Sequence, residues 1–265
     1  MSTLILPPRY TPDSIAMSRT AASLKWQVER LSSWRVPKEL CGTGAAIYGE
    51  PLFVTVVAEP IGTEVLEPSE NWLPGIPDEY RKRWVQLATL GEARKLTSST
   101  FIKPVSDKCF KAKVYARGEE LPSAVDLDDS EHVLISEPVE WQIEFRAFVI
   151  NRKVVTVSPY LRNGELVEQP DGSWPAELHE TEAAEAFYKN VLANADLSIP
   201  PAFVMDVGII ADRGWAVIEA NAAWGSGLYG CDPAEVLRVV RRACVAKGQV
   251  QLSDKQWLRM SEHVD

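Results

Sequence analysis

The chain has 265 residues, of which 46% are hydrophobic and 25% charged, which is enough to bury a core and to form two small domains. The net charge of −9, without any run of Lys or Arg, argues against an extended nucleic-acid partner. No segment approaches the ~20 apolar residues of a membrane span, and the four cysteines include no C-x-x-C pair, so we expect a cytoplasmic protein without a zinc ribbon.

The first sixty residues predict a small lobe in which strands alternate with helices. Thr11 followed by Pro12 is typical of an N-cap and the first position of a helix. The predicted order is a strand at Thr3–Leu6, a helix from Pro12 to about Leu24, strands near Trp26–Val28 and at Ala45–Tyr48, and a helix at Pro51–Glu59. This alternation favours an open α/β arrangement.

A Pro- and Gly-rich segment at residues 60–77 marks a boundary, with an N-terminal lobe at residues 1–76 and a second domain at residues 77–265. We expect a helix at Asp78–Leu96 directly after it. The remaining pattern predicts strands at Phe101–Lys103, Val114–Tyr115, Val133–Ser136, Gln142–Ile150, Lys153–Val157, Phe203–Ala211 and Trp215–Asn221, and helices at Thr181–Ala193 and from Asp232 to about Lys247. Asn151-Arg152 is expected to form a two-residue hairpin turn.

The last two predicted strands carry the most informative polar residues. Side chains alternate between the two faces of a strand, so Glu219 and Asn221 share a face. A turn at Asp212-Arg213 pairs Asp206 with Glu219, and a turn one residue later pairs Asp206 with Asn221. Both registers bring three oxygen ligands together, and such ligands suit Mg²⁺. The alternative is that the carboxylates reach solvent or pair with arginines.

Lysines are concentrated around the strand that ends with Phe101-Ile-Lys-Pro. Lys103 closes this apolar strand, so its ammonium is expected at the edge of a cleft, and Lys108 follows in the next loop. Several cations around a phosphate chain would stabilise it. The stretch does not match G-x-x-x-x-G-K-[ST], which excludes a P-loop nucleotide site. A solvated, lysine-rich hairpin is the alternative.

The predicted strand Gln142–Ile150 carries two charged residues on one face. Glu144 and Arg146 are neighbours there, while the apolar residues occupy the other face. An Arg fork suits a transferring phosphoryl group or an acyl-phosphate, whereas a structural Glu144–Arg146 ion pair is the alternative. The extended segment Glu137–Val139 before the strand offers backbone groups that could bind an adenine edge.

These segments occur in an order that resembles the ATP-grasp superfamily: Phe101–Pro104, Ser136–Val139, Glu144–Arg146, then Asp206 and Glu219-Ala-Asn221, over about residues 80–232. The resemblance implies an α+β ATP-grasp fold with a small N-terminal α/β lobe of the pre-ATP-grasp kind. It implies ATP and Mg²⁺ as cofactors, with Lys103 and Lys108 at the phosphates, Glu137 and Val139 at the adenine, Glu144 at the ribose, Arg146 at the transferring phosphoryl group, and Asp206, Glu219 and Asn221 at the magnesium ion. The loop after Lys103 lacks the glycines that are common in the family.

Family members typically activate a carboxylate as an acyl-phosphate that an amine then attacks. The resemblance therefore implies an ATP-dependent carbon–nitrogen ligase with a small carboxylate and an amine as substrates, such as an amino acid or a peptide. A phosphotransferase and a non-catalytic nucleotide-binding protein are the alternatives. Ser158–Arg162 and Ala222–Gly230 are candidate borders of the substrate pocket, and Arg162 either binds a substrate carboxylate or lies on the surface.

Overall fold

The computed structural model of the protein describes residues 2–105 and 109–259. The N-terminal elements are β1 (Thr3–Leu6), α1 (Pro12–Ser23), β2 (Gln27–Arg30), β3 (Ala46–Ile47), α2 (Pro51–Ile61) and β4 (Thr63–Val65). The next elements are α3 (Asp78–Arg81), β5 (Val85–Thr89), α4 (Leu90–Ala93), β6 (Thr100–Pro104), β7 (Lys113–Tyr115), β8 (His132–Ser136), β9 (Trp141–Ile150), β10 (Lys153–Arg162) and β11 (Glu165–Leu166). The last are α5 (Leu178–Ala193), β12 (Ala202–Ile210), β13 (Gly214–Asn221), α6 (Pro233–Ala243) and β14 (Cys244–Ala246).

The N-terminal lobe is the α/β unit that the sequence predicts. β1 lies at the centre of a parallel three-stranded sheet in the order β2-β1-β3. The hydroxyl of Thr11 accepts a hydrogen bond from the N–H of Ser14 at 3.1 Å, and the Ser14 hydroxyl accepts one from the N–H of Thr11 at 2.9 Å. This reciprocal cap fixes the start of α1 at Pro12.

Two antiparallel sheets follow the N-terminal lobe. The smaller has four strands in the order β5-β8-β6-β7, and the larger has five in the order β11-β10-β9-β12-β13. β9 and β10 are joined at Asn151-Arg152, whose φ angles are 48° and 63°. Two consecutive positive φ values are typical of the tight turn that matches strand twist, so the predicted hairpin is confirmed. The mixed α+β ATP-grasp architecture expected from the sequence is thus present.

The five-stranded sheet separates two hydrophobic cores. Ile143, Phe145, Ala147 and Val149 of β9 face one core, together with Tyr188 of α5. The opposite face contributes Phe148 and Val204 to the core of the N-terminal lobe. The predicted alternation of β9 is therefore confirmed. The division at residue 76 remains a prediction, although residues from both sides of it pack together in the core of the N-terminal lobe.

The predicted helix at Asp78–Leu96 is wrong. α3 ends after one turn because Lys82 adopts a left-handed conformation with φ of 55°. The chain then forms β5, which pairs antiparallel with β8, before the short helix α4. A single sequence cannot separate such a short edge strand from a helix by periodicity, because the pairing with β8 decides its conformation.

The last predicted helix is too long. α6 ends at Ala243, and Cys244–Ala246 extend as β14, which pairs with β4 of the N-terminal lobe. The C-terminal part of the chain therefore returns to the first lobe, and tertiary pairing overrides the helical pattern there. No helix in the described residues is long and apolar enough to cross a membrane.

Candidate functional site

The hairpin of β12 and β13 pairs Asp206 directly with Glu219, as one of the two predicted registers requires. The route to this pairing differs from the prediction. The loop has three residues, 211–213, so Ile210 pairs with Gly214 and Val207 with Val217. A β-bulge at Ile218 then shifts the register by one residue before Asp206 is reached.

Asp206 is fully buried and is bound by Arg146 of the neighbouring strand β9. The guanidinium donates two hydrogen bonds to the carboxylate, from Nε to Oδ1 at 2.9 Å and from Nη2 to Oδ2 at 2.7 Å. Burial raises the pKa of Asp206, and the Arg146 charge opposes that rise. Burial alone would lower the pKa of Arg146, but Asp206 raises it, so the guanidinium stays charged. The expected alternative, an ion pair of Arg146 with Glu144, is not the one that forms.

Glu219 is paired with Lys103, which reaches it from β6 of the four-stranded sheet. Both side chains are about a quarter exposed, at 27% for Glu219 and 23% for Lys103. Asn221 donates a hydrogen bond from Nδ2 to Glu219 Oε1 at 2.8 Å. Burial would raise the pKa of Glu219, but the Lys103 ammonium and the Asn221 hydrogen bond lower it to about 2. Glu219 is therefore ionised at neutral pH.

Glu144 lies beside these charges, and its carboxylate is held by a tyrosine. The hydroxyl of Tyr160 donates a hydrogen bond to Glu144 Oε2 at 2.7 Å, and the side chain of Glu144 is buried. Burial raises the pKa of Glu144 to about 7, and the nearby charges of Asp206 and Glu219 add to the rise. Glu144 is thus a candidate ribose ligand whose charge changes near neutral pH.

Both segments proposed as borders of the substrate pocket reach Arg146. Arg146 Nη1 donates a hydrogen bond to the carbonyl of Gly227 at 3.2 Å. Its guanidinium carbon lies 4.7 Å from the ring centroid of Tyr229 and 5.4 Å from that of Tyr160. The two rings are 5.0 Å apart. Arg146 therefore contacts a carboxylate, a backbone carbonyl and two aromatic faces at the same wall.

Asp13 of α1 brings the N-terminal lobe to this wall. Its Oδ2 accepts a hydrogen bond from the N–H of Leu228 at 3.3 Å. Burial raises the pKa of Asp13, while the Leu228 hydrogen bond and the Arg146 charge lower it in part. Sequence patterns do not single out this residue, because a capped helix start by itself gives Asp13 an ordinary structural role.

The connection between the two antiparallel sheets contains Glu137 and Val139. It runs from the end of β8 to the start of β9. The N–H of Glu137 donates a hydrogen bond to the carbonyl of Trp84 at 3.3 Å, and its carboxylate pairs with Arg213. Val139 is half-buried. An adenine at this connection stays a prediction, and its position between the sheets is the feature that supports it.

The other two predicted residues lie apart from this cluster. Arg162 is paired with Glu180 of α5 through hydrogen bonds of 2.9 and 2.7 Å. Within the described residues, no polar contact connects Arg162 with Arg146 or Asp206. Its catalytic role stays a prediction to which this ion pair adds no support. Lys108 lies outside the described residues.

Arg83 is a site residue that sequence patterns do not reveal. Its guanidinium donates hydrogen bonds to the carbonyls of Val217 and Ile218, at 2.6 and 2.7 Å. It also lies 5.0 Å from the ring centroid of Trp141. Burial lowers the pKa of Arg83 to about 10, although the charge of Glu219 opposes the fall. The basic run that contains Arg83 is visible in the sequence, but the bulge that it binds is not.

The two antiparallel sheets, with Lys103 of one against the carboxylate hairpin of the other, define a protein of the ATP-grasp class. Residues 80–239 match the model of an ATP-grasp domain family, the second family of its clade, and the chain belongs to this family. ATP-grasp proteins use ATP and Mg²⁺.

Solved structures agree on the fold. A RimK domain ATP-grasp protein from Sphaerobacter thermophilus DSM 20745 is similar, with a TM-score of 0.51 and 13% identity over 91% of this chain and 98% of that chain. The D-cycloserine synthetase DcsG is similar with a TM-score of 0.52 and 13% identity, over 91% of this chain and 99% of that chain. At such low identity, the likeness shows the fold alone. No curated protein matches the sequence.

The ligand set fits Mg²⁺ that arrives with a nucleotide. In the described part of the chain, no group of three or more His, Cys, Asp or Glu side chains could hold a metal ion. The hairpin offers two carboxylates and one amide, those of Asp206, Glu219 and Asn221. Mg²⁺ is commonly bound by one or two carboxylates together with substrate phosphates. The hairpin therefore fits a metal ion whose remaining ligands come from ATP and water.

Proposed function

We propose that the protein is an ATP- and Mg²⁺-dependent carboxylate–amine ligase that works through an acyl-phosphate. The observation that carries the proposal is the Asp206–Glu219 pair, whose carboxylates lie side by side and are bound by cations from two different strands, Arg146 of β9 and Lys103 of β6. Family membership and the shared fold supply the class of reaction.

The nucleotide would lie between the two antiparallel sheets. Asp206, Glu219 and Asn221 would hold the magnesium ion, which supplies charge neutralisation at the phosphates. Lys103 would then leave Glu219 for the phosphates, since its ammonium is no longer needed beside a carboxylate that binds a metal ion. Glu144 would accept hydrogen bonds from the ribose.

Arg146 would serve the reacting groups. In the first step, a substrate carboxylate oxygen attacks the γ-phosphorus and ADP leaves, and in the second step the amine attacks the acyl carbon and phosphate leaves. Arg146 stays charged because Asp206 binds it, and the aromatic faces of Tyr160 and Tyr229 keep it oriented. A fixed guanidinium next to a transferring phosphoryl group stabilises the charge that develops there.

A turnover experiment with isotopic labelling tests the proposal. The protein is incubated with Mg-ATP and a panel of amino acids, as acids and as amines, and ADP is measured with each component omitted in turn. We expect ADP only when acid and amine are both present. With a carboxylate labelled by ¹⁸O, the released phosphate should carry one labelled oxygen.

Three results would contradict the proposal. A stable phosphorylated product that forms without an amine would mean a phosphotransferase. Mg-ATP binding without any turnover across the panel would mean a nucleotide-binding protein. Phosphate without the label would exclude the acyl-phosphate route.

A further inference from the structure

The β-bulge at Ile218 decides the direction in which Glu219 points. From Ile210–Gly214 to Val207–Val217 the two strands are in a single register. If that register continued, Glu219 would pair with Met205, whose side chain is fully buried in the core beneath α5. A shift of one residue sends every later side chain to the opposite face. The bulge thus places Glu219 on the face of Asp206.

Arg83 binds the backbone at this bulge. Successive carbonyl groups of a regular strand point to opposite edges, so one guanidinium cannot bind both. Arg83 donates hydrogen bonds to the carbonyls of both Val217 and Ile218, at 2.6 and 2.7 Å. The two carbonyls can meet one guanidinium because the bulged backbone turns them to the same side.

The location of β13 makes these hydrogen bonds important. β13 is the edge strand of the five-stranded sheet, so none of the described strands pairs with its outer groups. Arg83 comes from the segment between α3 and β5, and β5 belongs to the sheet that carries Lys103. One side chain therefore connects the sheet of Lys103 to the backbone beside Glu219.

We propose that Arg83 is a positioning residue that binds both carbonyls of the bulge and so holds Glu219 on the face shared with Asp206 and Lys103. The inference rests on the proposed function in one respect, namely that Glu219 is a magnesium ligand. Arg83 acts on Glu219 through the backbone and takes no direct part in binding the metal or the reacting groups.

The sign of the effect separates positioning from plain electrostatics. Removal of a positive charge near Glu219 should strengthen the attraction for Mg²⁺ if charge alone matters. Loss of the bulge geometry should weaken it, since partners that orient a metal ligand typically contribute about 10–100-fold to metal affinity. Arg83→Gln removes the charge and the fork, whereas Arg83→Lys keeps the charge and loses only the fork.

The measurement is the affinity for a non-hydrolysable ATP analogue by calorimetry, with and without Mg²⁺. We expect the enhancement by Mg²⁺ to fall about tenfold or more in Arg83→Gln and by a smaller factor in Arg83→Lys. Metal-free binding should change less than about twofold. Arg213→Gln is the matched control, because Arg213 binds the carbonyl of Lys82 and the carboxylate of Glu137 on the same wall. It should leave the enhancement unchanged.

An equal or larger Mg²⁺ enhancement in folded Arg83→Gln would overturn the inference. If that variant does not fold, the Arg83→Lys variant decides, and an unchanged enhancement there overturns it as well. A lower melting temperature without a change in the enhancement means that Arg83 is structural only. If the wild-type protein shows no Mg²⁺ enhancement at all, the proposed function fails instead, whatever the Arg83 variants do.

Discussion

Asp206 and Glu219 lie directly opposite each other on β12 and β13, yet their carboxylates have different environments. Asp206 is fully buried and bound by Arg146, whereas Glu219 is about a quarter exposed and paired with Lys103. Breaking a buried ion pair leaves an uncompensated charge, which costs far more than the loss of a partly exposed pair. The two carboxylates should therefore respond differently to substitution.

Glu219→Gln should remove most of the magnesium-dependent ATP binding and leave the fold stable. Asp206→Asn should weaken binding as well, but it should also lower the free energy of unfolding by about 3–5 kcal/mol, since Arg146 loses its charged partner. Calorimetry with Mg-ATP and denaturant unfolding on the same samples check both effects. Unchanged Mg-ATP affinity in both variants would exclude the hairpin as the metal site.

Lys103→Ala should weaken ATP binding more than adenosine binding, because the lost contact is with the phosphates. A charge-assisted hydrogen bond of this kind is worth about 1.5–3 kcal/mol. Lys113→Ala is a suitable control, since Lys113 lies on the neighbouring strand β7 and is exposed. Equal losses for ATP and adenosine would assign Lys103 a structural role only.

Arg146→Lys should lower turnover much more than ATP affinity. A lysine keeps the charge but loses the fork that binds both oxygens of Asp206 and the Gly227 carbonyl. Removal of one donor that stabilises a transition state typically costs about 10²–10³ in rate. Melting temperature and turnover should be measured together. A destabilised variant with normal turnover per folded molecule would make Arg146 part of the scaffold.

Glu144 should make stability depend on pH. Burial raises its pKa from 4.5 to about 7 in the folded protein, so the folded state holds a proton that the unfolded state has lost. Its contribution to stability is complete below about pH 4.5 and is lost as pH rises to about 7. One pKa unit corresponds to about 1.4 kcal/mol, so ionisation costs on the order of 3 kcal/mol.

Glu144→Gln tests this pH dependence because it removes the titration and keeps the shape. Denaturant unfolding of the wild type and the variant at pH 5 and pH 8 gives the difference directly, and other titrating groups cancel in the comparison. We expect the variant to gain stability relative to the wild type as pH rises. Parallel pH profiles would mean that Glu144 titrates in its ordinary range.

The two proteins should also differ in nucleotide binding. Since an ionised carboxylate is the better hydrogen-bond acceptor, ATP affinity of the wild type should increase through pH 7, and that of Glu144→Gln should not. ATP affinity that is independent of pH in the wild type would argue against Glu144 as the ribose ligand.

The sequence alone was sufficient for the features that depend on local pattern. Thr11-Pro12 predicts the start of α1, Asn151-Arg152 predicts the tight turn, and the alternation of β9 predicts which of its residues face the core. These features depend on one capping group, two backbone angles or the period of a strand, and all of these are set by neighbours in the chain. The ordered motifs, together with these elements, were enough to predict the ATP-grasp fold.

Only the tertiary structure decided which charges meet. Sequence spacing puts Glu144 next to Arg146, but the antiparallel pairing of β9 with β12 places Asp206 directly beside Arg146. Likewise, Lys103 meets Glu219 across two sheets, and the bulge bound by Arg83 sets the face of Glu219. These contacts join residues from 60 to 135 positions apart in the chain. Such contacts depend on strand order and register, which arise from packing of the whole domain and leave no local pattern in the sequence.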